Sequence, residues 1–391
     1  MATVKQLNTV LTSVAGQMYG SSALAVTNLQ SLISLGDRVM ATNTDKDLFV
    51  STLSDMIELT IFRKLDFESS FPGMIRHPYE MGAAFRKIDV QPLPARENTA
   101  WKVGTDGFTP NPYPVMKPEL SQSIFSDFTT YRVGVTVPDD LLNTAFHSYS
   151  DAERLISYMI DSQELTIRLN TDHMERMAVN NLLAEVTPAA GQTSTRVINL
   201  ATEYNTLHSY TSSDAGYITP GSALAFDDKD FMQFVWFKML FTLNQMKQPS
   251  VHYSGGSKIR ASLRDNLHVI MLGYFTAKYQ AVAQSNTYWK ELTELPYYTE
   301  VPFWQASDDL SFAKVSKISI IPSSSADGTT AVNIENVIGA YIDREAVGVG
   351  LDKKKPVVAR NAFEEYTDYA RNITTQYFND TSENVVYFTI N

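Results

Sequence analysis

Residues 130 to 137 alternate. Tyr131, Val133, Val135 and Val137 are interleaved with Thr130, Arg132, Gly134 and Thr136. Successive side chains leave a strand on opposite sides, so this period of two predicts a strand with one buried face. A longer period follows. Ser150 and Glu153 have capping-box spacing, and Leu155, Ile156, Met159, Ile160, Ile167, Met174 and Met177 come after them with no internal Pro or Gly. The pattern predicts one helix from about Asp151 to about Glu185, roughly 50 Å long at 1.5 Å per residue. Upstream, Leu48, Leu53, Met56, Ile57 and Ile61 recur at near-helical intervals and predict a helix between about residues 47 and 65. Before it, Val10, Leu11 and Val14 form a weak helical stripe that loosens through Gly16, Gly20, Ser21 and Ser22. This segment reads as a partly mobile N-terminal arm.

Past the long helix the text turns polar and is broken by Pro188, Gly191, Gly216, Pro220 and Gly221, which places a boundary near residue 225. Then come a second helical run, KDFMQFVWFKMLFTLNQMK, a strand-like HVIML, a helical YFTAKYQAVAQ and an alternating VSKISII. That order suits a mixed α/β domain. NVIGAYI and a terminal VVYFTI return to strand-like text, and no internal repeat is apparent.

Residues from about 72 to 135 lie between two well-patterned elements and are too many for an ordinary loop. They include WKVGTDGFTPNPYPVMKPE, with glycines for a turn and prolines that exclude the segment from the middle of a regular sheet. A two-stranded ribbon with Pro on one limb is the economical model. An isolated hairpin is marginal in water, and this one would expose Trp101, Phe108, Tyr113 and Met116. The ribbon should therefore pack on something outside itself, through Trp101, Phe108, Pro110, Pro112, Tyr113 and Pro114.

Composition narrows the function. The 391 residues, 44% hydrophobic and 19% charged, suffice for two or three domains with a real core. Lys plus Arg at 32 against Asp plus Glu at 43 gives a net charge of −11, which argues against wrapping nucleic acid through a basic face. With no cysteine there is no disulfide framework or thiolate chemistry, as fits a reducing cytosol. No window approaches the ~20 apolar residues of a membrane span, and the N-terminus lacks a signal-peptide core.

No residue spacing in the chain calls for a cofactor or a metal. His77, His147, His173, His208, His252 and His268 are dispersed, without the paired spacing of a helical zinc site. Asp172, His173, Glu175 and Arg176 read as a solvated helix face. Gly348 to Gly350 lack the third glycine of a dinucleotide loop, and Ser254 to Lys258 lack phosphate-loop spacing and read as a turn. Lys353, Lys354 and Lys355 read as an exposed edge that discourages strand pairing. The pairs Asp139 and Asp140, Asp227 and Asp228, and Asp308 and Asp309 read as helix-start or turn residues. Trp101, Trp236, Trp289 and Trp304 could line a carbohydrate site, although Trp236 and Phe237 sit in an apolar helix and read as core.

The order of elements, an arm, a very long helix, a broken segment, a mixed α/β domain and a returning strand, resembles the major capsid proteins of tailed phages with the Hong Kong 97 fold, most closely those of short-tailed podoviruses. The matching text is PVMKPELSQSIFSDFTTYRVGVTVPDDLLNTAF leading into SDAERLISYMIDSQELTIRLNTDHMERMAV, then NVIGAYIDREAVGVG and RNITTQYFNDTSENVVYFTIN. The resemblance implies an α+β fold with an N-terminal arm (1–46), a peripheral domain (47–71, 136–225 and 346–391) carrying a spine helix over 151–185, an extended loop (72–135) and an axial domain (226–345). It implies a non-enzymatic shell protein that assembles as hexamers and pentamers around double-stranded DNA. A separate scaffolding protein and a portal would be its partners, with assembly in the host cytoplasm and no membrane. An encapsulin-like compartment and a carbohydrate-binding protein are the alternatives.

Overall fold

A computed structural model describes residues 4–20, 25–27, 29–42, 44–49, 52, 71, 74–76, 85–93, 95, 117–118, 120–125, 129–141, 149–189, 192, 194–256, 258–284, 298–305, 309–325, 328–353, 357–361 and 363–391. The chain divides into two compact units. One comprises residues 1–81, 128–175 and 349–376, and the other comprises 82–127, 176–348 and 377–391.

In the first unit the long strand Tyr366–Asn379 organises a five-stranded sheet among the described residues. Thr129–Pro138 pairs with it antiparallel from Thr129 opposite Thr375 to Pro138 opposite Tyr366, and Val357–Asn361 pairs antiparallel with residues 366–370. The expected alternation holds: Val133, Val135 and Val137 are buried while Arg132, Gly134 and Thr136 are exposed. Val133 and Ile373 of the sheet pack with Ile167 of the long helix, and Gln163 on that helix donates to the Tyr369 carbonyl at 3.2 Å.

The helix runs Tyr149–Val186, 38 residues, where the sequence predicts about 151 to 185. Residues 149–175 belong to the first unit and 176–186 to the second. Its charged cluster differs from expectation. Asp172, Glu175 and Arg176 are buried and only His173 faces solvent, so this is not a solvated face. The Arg176 guanidinium lies 4.4 Å from the centroid of the Phe303 ring and donates to the Phe303 carbonyl.

The N-terminal segment, expected to be an arm, carries two helices. Helices Val4–Tyr19 and Leu29–Met40 bury Leu11, Val14 and Ala15, and Leu32, Leu35 and Val39. Thr12 Oγ1 accepts from the Val26 amide at 3.0 Å, and Arg38 caps the Tyr19 ring at 3.9 Å. The helix predicted from residue 47 is seen over residues 44–49, and residues 53–65 lie outside the described residues.

The second unit is built on a sheet ordered Val197–Asn199, Val385–Thr389, Val337–Asp343, Leu267–Leu272 and Thr299–Val301. Its three central strands are buried on both faces, which is why they read as continuous apolar runs rather than as alternation. Helices Leu200–His208, Lys229–Met246 and Gly273–Gln284 accompany it. The first of these falls in text read as broken, where Asn199 caps it by accepting from the Thr202 amide. Asp228 likewise caps Lys229–Met246 through the Phe231 amide at 2.9 Å, the helix-start role expected of the pair at 227 and 228.

Candidate assembly interface

A ribbon of two antiparallel strands, Phe85–Val90 and Leu120–Phe125, belongs to the second unit. Phe85 stands opposite Phe125 and Val90 opposite Leu120. Strand alternation then sorts its side chains into two faces. Lys87, Asp89, Ser121, Ser123 and Phe125 share one, and Arg86, Ile88, Val90, Leu120, Gln122 and Ile124 share the other.

The polar face points inward. Lys87 Nζ lies 2.8 Å from Asp380 and 2.5 Å from Glu383, and Asp89 receives Arg260 at 2.6 Å and Lys258 at 3.2 Å. Arg260 continues to Glu383 at 3.1 Å, which joins both clusters into one network. Lys258 also donates to Ser121, the Ile259 amide donates to Gln91 Oε1, and the Phe125 and Phe378 rings meet at 5.3 Å.

The carboxylates at this root are shifted by their surroundings. The Arg260 guanidinium holds Asp89 well below the usual carboxylate range, against the opposing effect of burial. Burial pushes Asp380 up, but its bonds to Lys87 and Ser382 outweigh that and leave it low. At Glu383 burial wins over Lys87 and Arg260, and its pKa is raised. Behind the network, burial brings Arg196 down to about 10, and its guanidinium donates to the carbonyls of Tyr253, Thr381 and Glu383. Gly255 is required beside it, because a Cβ there would collide with the Thr381 carbonyl oxygen.

The other face is apolar and open. Ile88 is 69% exposed and Leu120 66%, with Val90 and Ile124 each at 57%. Burial is therefore inverted on this ribbon, with Lys87 and Asp89 held inside and its aliphatic side chains in water.

The six residues expected to make contacts, Trp101, Phe108, Pro110, Pro112, Tyr113 and Pro114, lie outside the described residues. Trp304 is fully buried and donates from Nε1 to the Val337 carbonyl, which removes it from any sugar platform. Trp236 stacks on Tyr279, whereas Phe237, read as core, is exposed and stacks on Phe241. The glycines at 348 to 350 lie in the strand Val347–Lys353, not in a nucleotide loop. Gly256, in the turn expected after Ser254, takes a φ of 65°. Among the described residues no cluster of metal-ligating side chains occurs, and no helix is long and apolar enough to cross a membrane.

The family model for the Phi29-like phage major capsid protein matches residues 7–389. The chain belongs to that family. It is a structural protein of icosahedral phage shells, with the Hong Kong 97-type fold. A chain from the structure of the head fiber and inner core protein gp22 of native bacteriophage P68 is similar at 11% identity and a TM-score of 0.50, over 85% of this chain and 88% of that one. Chains from the capsid structures of Staphylococcus phage Andhra (8% identity, 84% and 88% covered, TM-score 0.47) and Cyanophage P-SCSP1u (12% identity, 84% and 89% covered, TM-score 0.44) are also similar. No curated protein matches the chain. The compartment and carbohydrate readings find no support in the family match, which is to a phage major capsid protein.

Proposed function

We propose that this capsid protein builds hexamers and pentamers of a phage head that encloses double-stranded DNA without reading its sequence, and that the ribbon is the root of an arm laid on a neighbouring subunit. The role is structural rather than enzymatic. Residues 72–135 would form the extended loop, 1–46 the N-terminal arm, 47–71, 136–225 and 346–391 the peripheral domain with its spine helix, and 226–345 the axial domain. A separate scaffolding protein and a portal would be needed, and assembly would take place in the host cytoplasm.

The observation that carries the arm is the outward apolar face of Ile88, Val90, Leu120 and Ile124. A lone subunit gains nothing by holding four aliphatic side chains in water on a ribbon whose other face is pinned by ions. A shell sums many modest interfaces, and each copy would bury this face once. Ile88→Asp combined with Leu120→Asp should leave a folded subunit with an unchanged melting temperature that fails to close shells in electron micrographs. Normal particles from this variant would remove the assigned role.

A further inference from the structure

We propose that the turn carrying Phe363 is a knob that docks on the outward ribbon face of a second copy of this chain. The proposal rests on the shell-building reading and adds to it the matching surface.

Phe363 is 99% exposed, in the turn that joins the paired strands Val357–Asn361 and Tyr366–Asn379. Hairpin turns ordinarily take small polar residues, and a phenylalanine held wholly in water is out of place unless something covers it. The turn is braced. Asn361 Oδ1 accepts from the amides of Phe363 at 3.1 Å and Glu364 at 3.4 Å, and its Nδ2 donates to Glu364 Oε2 and to the Tyr366 hydroxyl. Glu365 takes a left-handed φ of 50°, and its carbonyl accepts from the Asp139 amide. The ring is thus presented on a fixed turn and flanked by two exposed carboxylates, Glu364 and Glu365.

The receiving surface must be apolar, open and positively edged. The ribbon face meets all three conditions: Arg86 stands opposite Ile124 and two residues from Ile88 on the same face, and it has no ion pair among the described residues. The other exposed aromatic cluster, Phe237 and Phe241, shares its helix face with Asp230, seven residues before Phe237, and would repel the two glutamates. Within one chain both Phe363 and the ribbon face are open to water, so their contact would join two copies. Two different patches meeting head to tail give a heterologous contact, the kind that closes rings.

The chain has no cysteine, so a pair of introduced cysteines reports the contact without background. Phe363→Cys combined with Ile88→Cys, assembled and then oxidised with oxidised glutathione, should give a ladder of disulfide-linked multimers on non-reducing gels. Each single variant should give none, as should Phe363→Cys combined with Phe237→Cys. A disulfide-linked dimer from Phe363→Cys alone would place knob against knob and overturn the proposal, and a ladder with Phe237→Cys in place of Ile88→Cys would do the same. Shells that form normally without any ladder overturn the pairing but leave the shell reading intact. Failure of the unaltered chain to form shells when assembled with its scaffolding protein counts against that reading instead. Because the Phe363 ring is almost wholly exposed, Phe363→Ala should melt at the parent temperature yet lower shell yield at least tenfold; an unchanged yield overturns the knob.

Discussion

Lys87 sits between two carboxylates that are themselves almost fully buried, so its removal would leave Asp380 without the cation at 2.8 Å, while Glu383 keeps Arg260 at 3.1 Å. Breaking a buried pair by deleting one partner costs more than the pair's net worth, because the charge left behind is desolvated and uncompensated. Lys87→Met should therefore destabilise the protein by about 3 kcal/mol in denaturant titrations. Replacing Lys87, Asp380 and Glu383 together by Met, Asn and Gln should cost less than the single change. The same cluster sets an acid response. Asp89 and Asp380 titrate below their ordinary 3.8, so as pH falls through that value the unfolded chain binds protons before the folded one does. Their contribution is complete above pH 3.8 and is lost as pH drops towards their folded values. Glu383 acts with opposite sign, since its raised pKa lets the folded state take up its proton first, and the large downward shift of Asp89 sets the net direction. Melting temperatures should hold from about pH 6 to about pH 5 and fall below about pH 4. A melting temperature that rises on acidification to about pH 3 would count against the network's role.

Elements were legible where their period is local. The strand Thr129–Pro138 and the helix Tyr149–Val186 announce themselves because the repeat of each is written within the segment itself. The ribbon root was not legible, because Asp89 and Arg260 are 171 positions apart and nothing in FRKIDV says which of its alternating faces turns inward. Phe237 was misread as core because it stands in an apolar run, whereas Phe231, Val235 and Met239 hold the buried stripe and Phe237 lies off it. The second N-terminal helix carried a usable signal in Leu32, Leu35 and Val39 at three- and four-residue spacing, masked by the glycines and serines before it. The start of Lys229–Met246 was legible, since a carboxylate before an apolar run has one common use. Asp228→Ala removes the acceptor of the Phe231 amide and should cost about 1 kcal/mol, read as a lower denaturant midpoint at unchanged slope.

At the scale of the whole molecule, two electrostatic effects oppose each other when copies assemble. Each chain carries −11, so bringing many together accumulates like-charge repulsion that salt screens over a Debye length of about 10 Å at 0.1 M. Any exposed ion pair formed across copies, such as Glu364 with Arg86, is weakened by the same salt, but such pairs are worth only about 0–1 kcal/mol. The apolar contact of Phe363 with the ribbon face is indifferent to moderate salt or slightly strengthened by it. Repulsion between whole subunits should therefore decide the sign. The protein concentration needed for shells to appear, followed by light scattering, should fall as sodium chloride rises from about 0.02 M to about 0.3 M. A threshold that rises over this range would mean that ion pairs between copies outweigh both net charge and apolar burial.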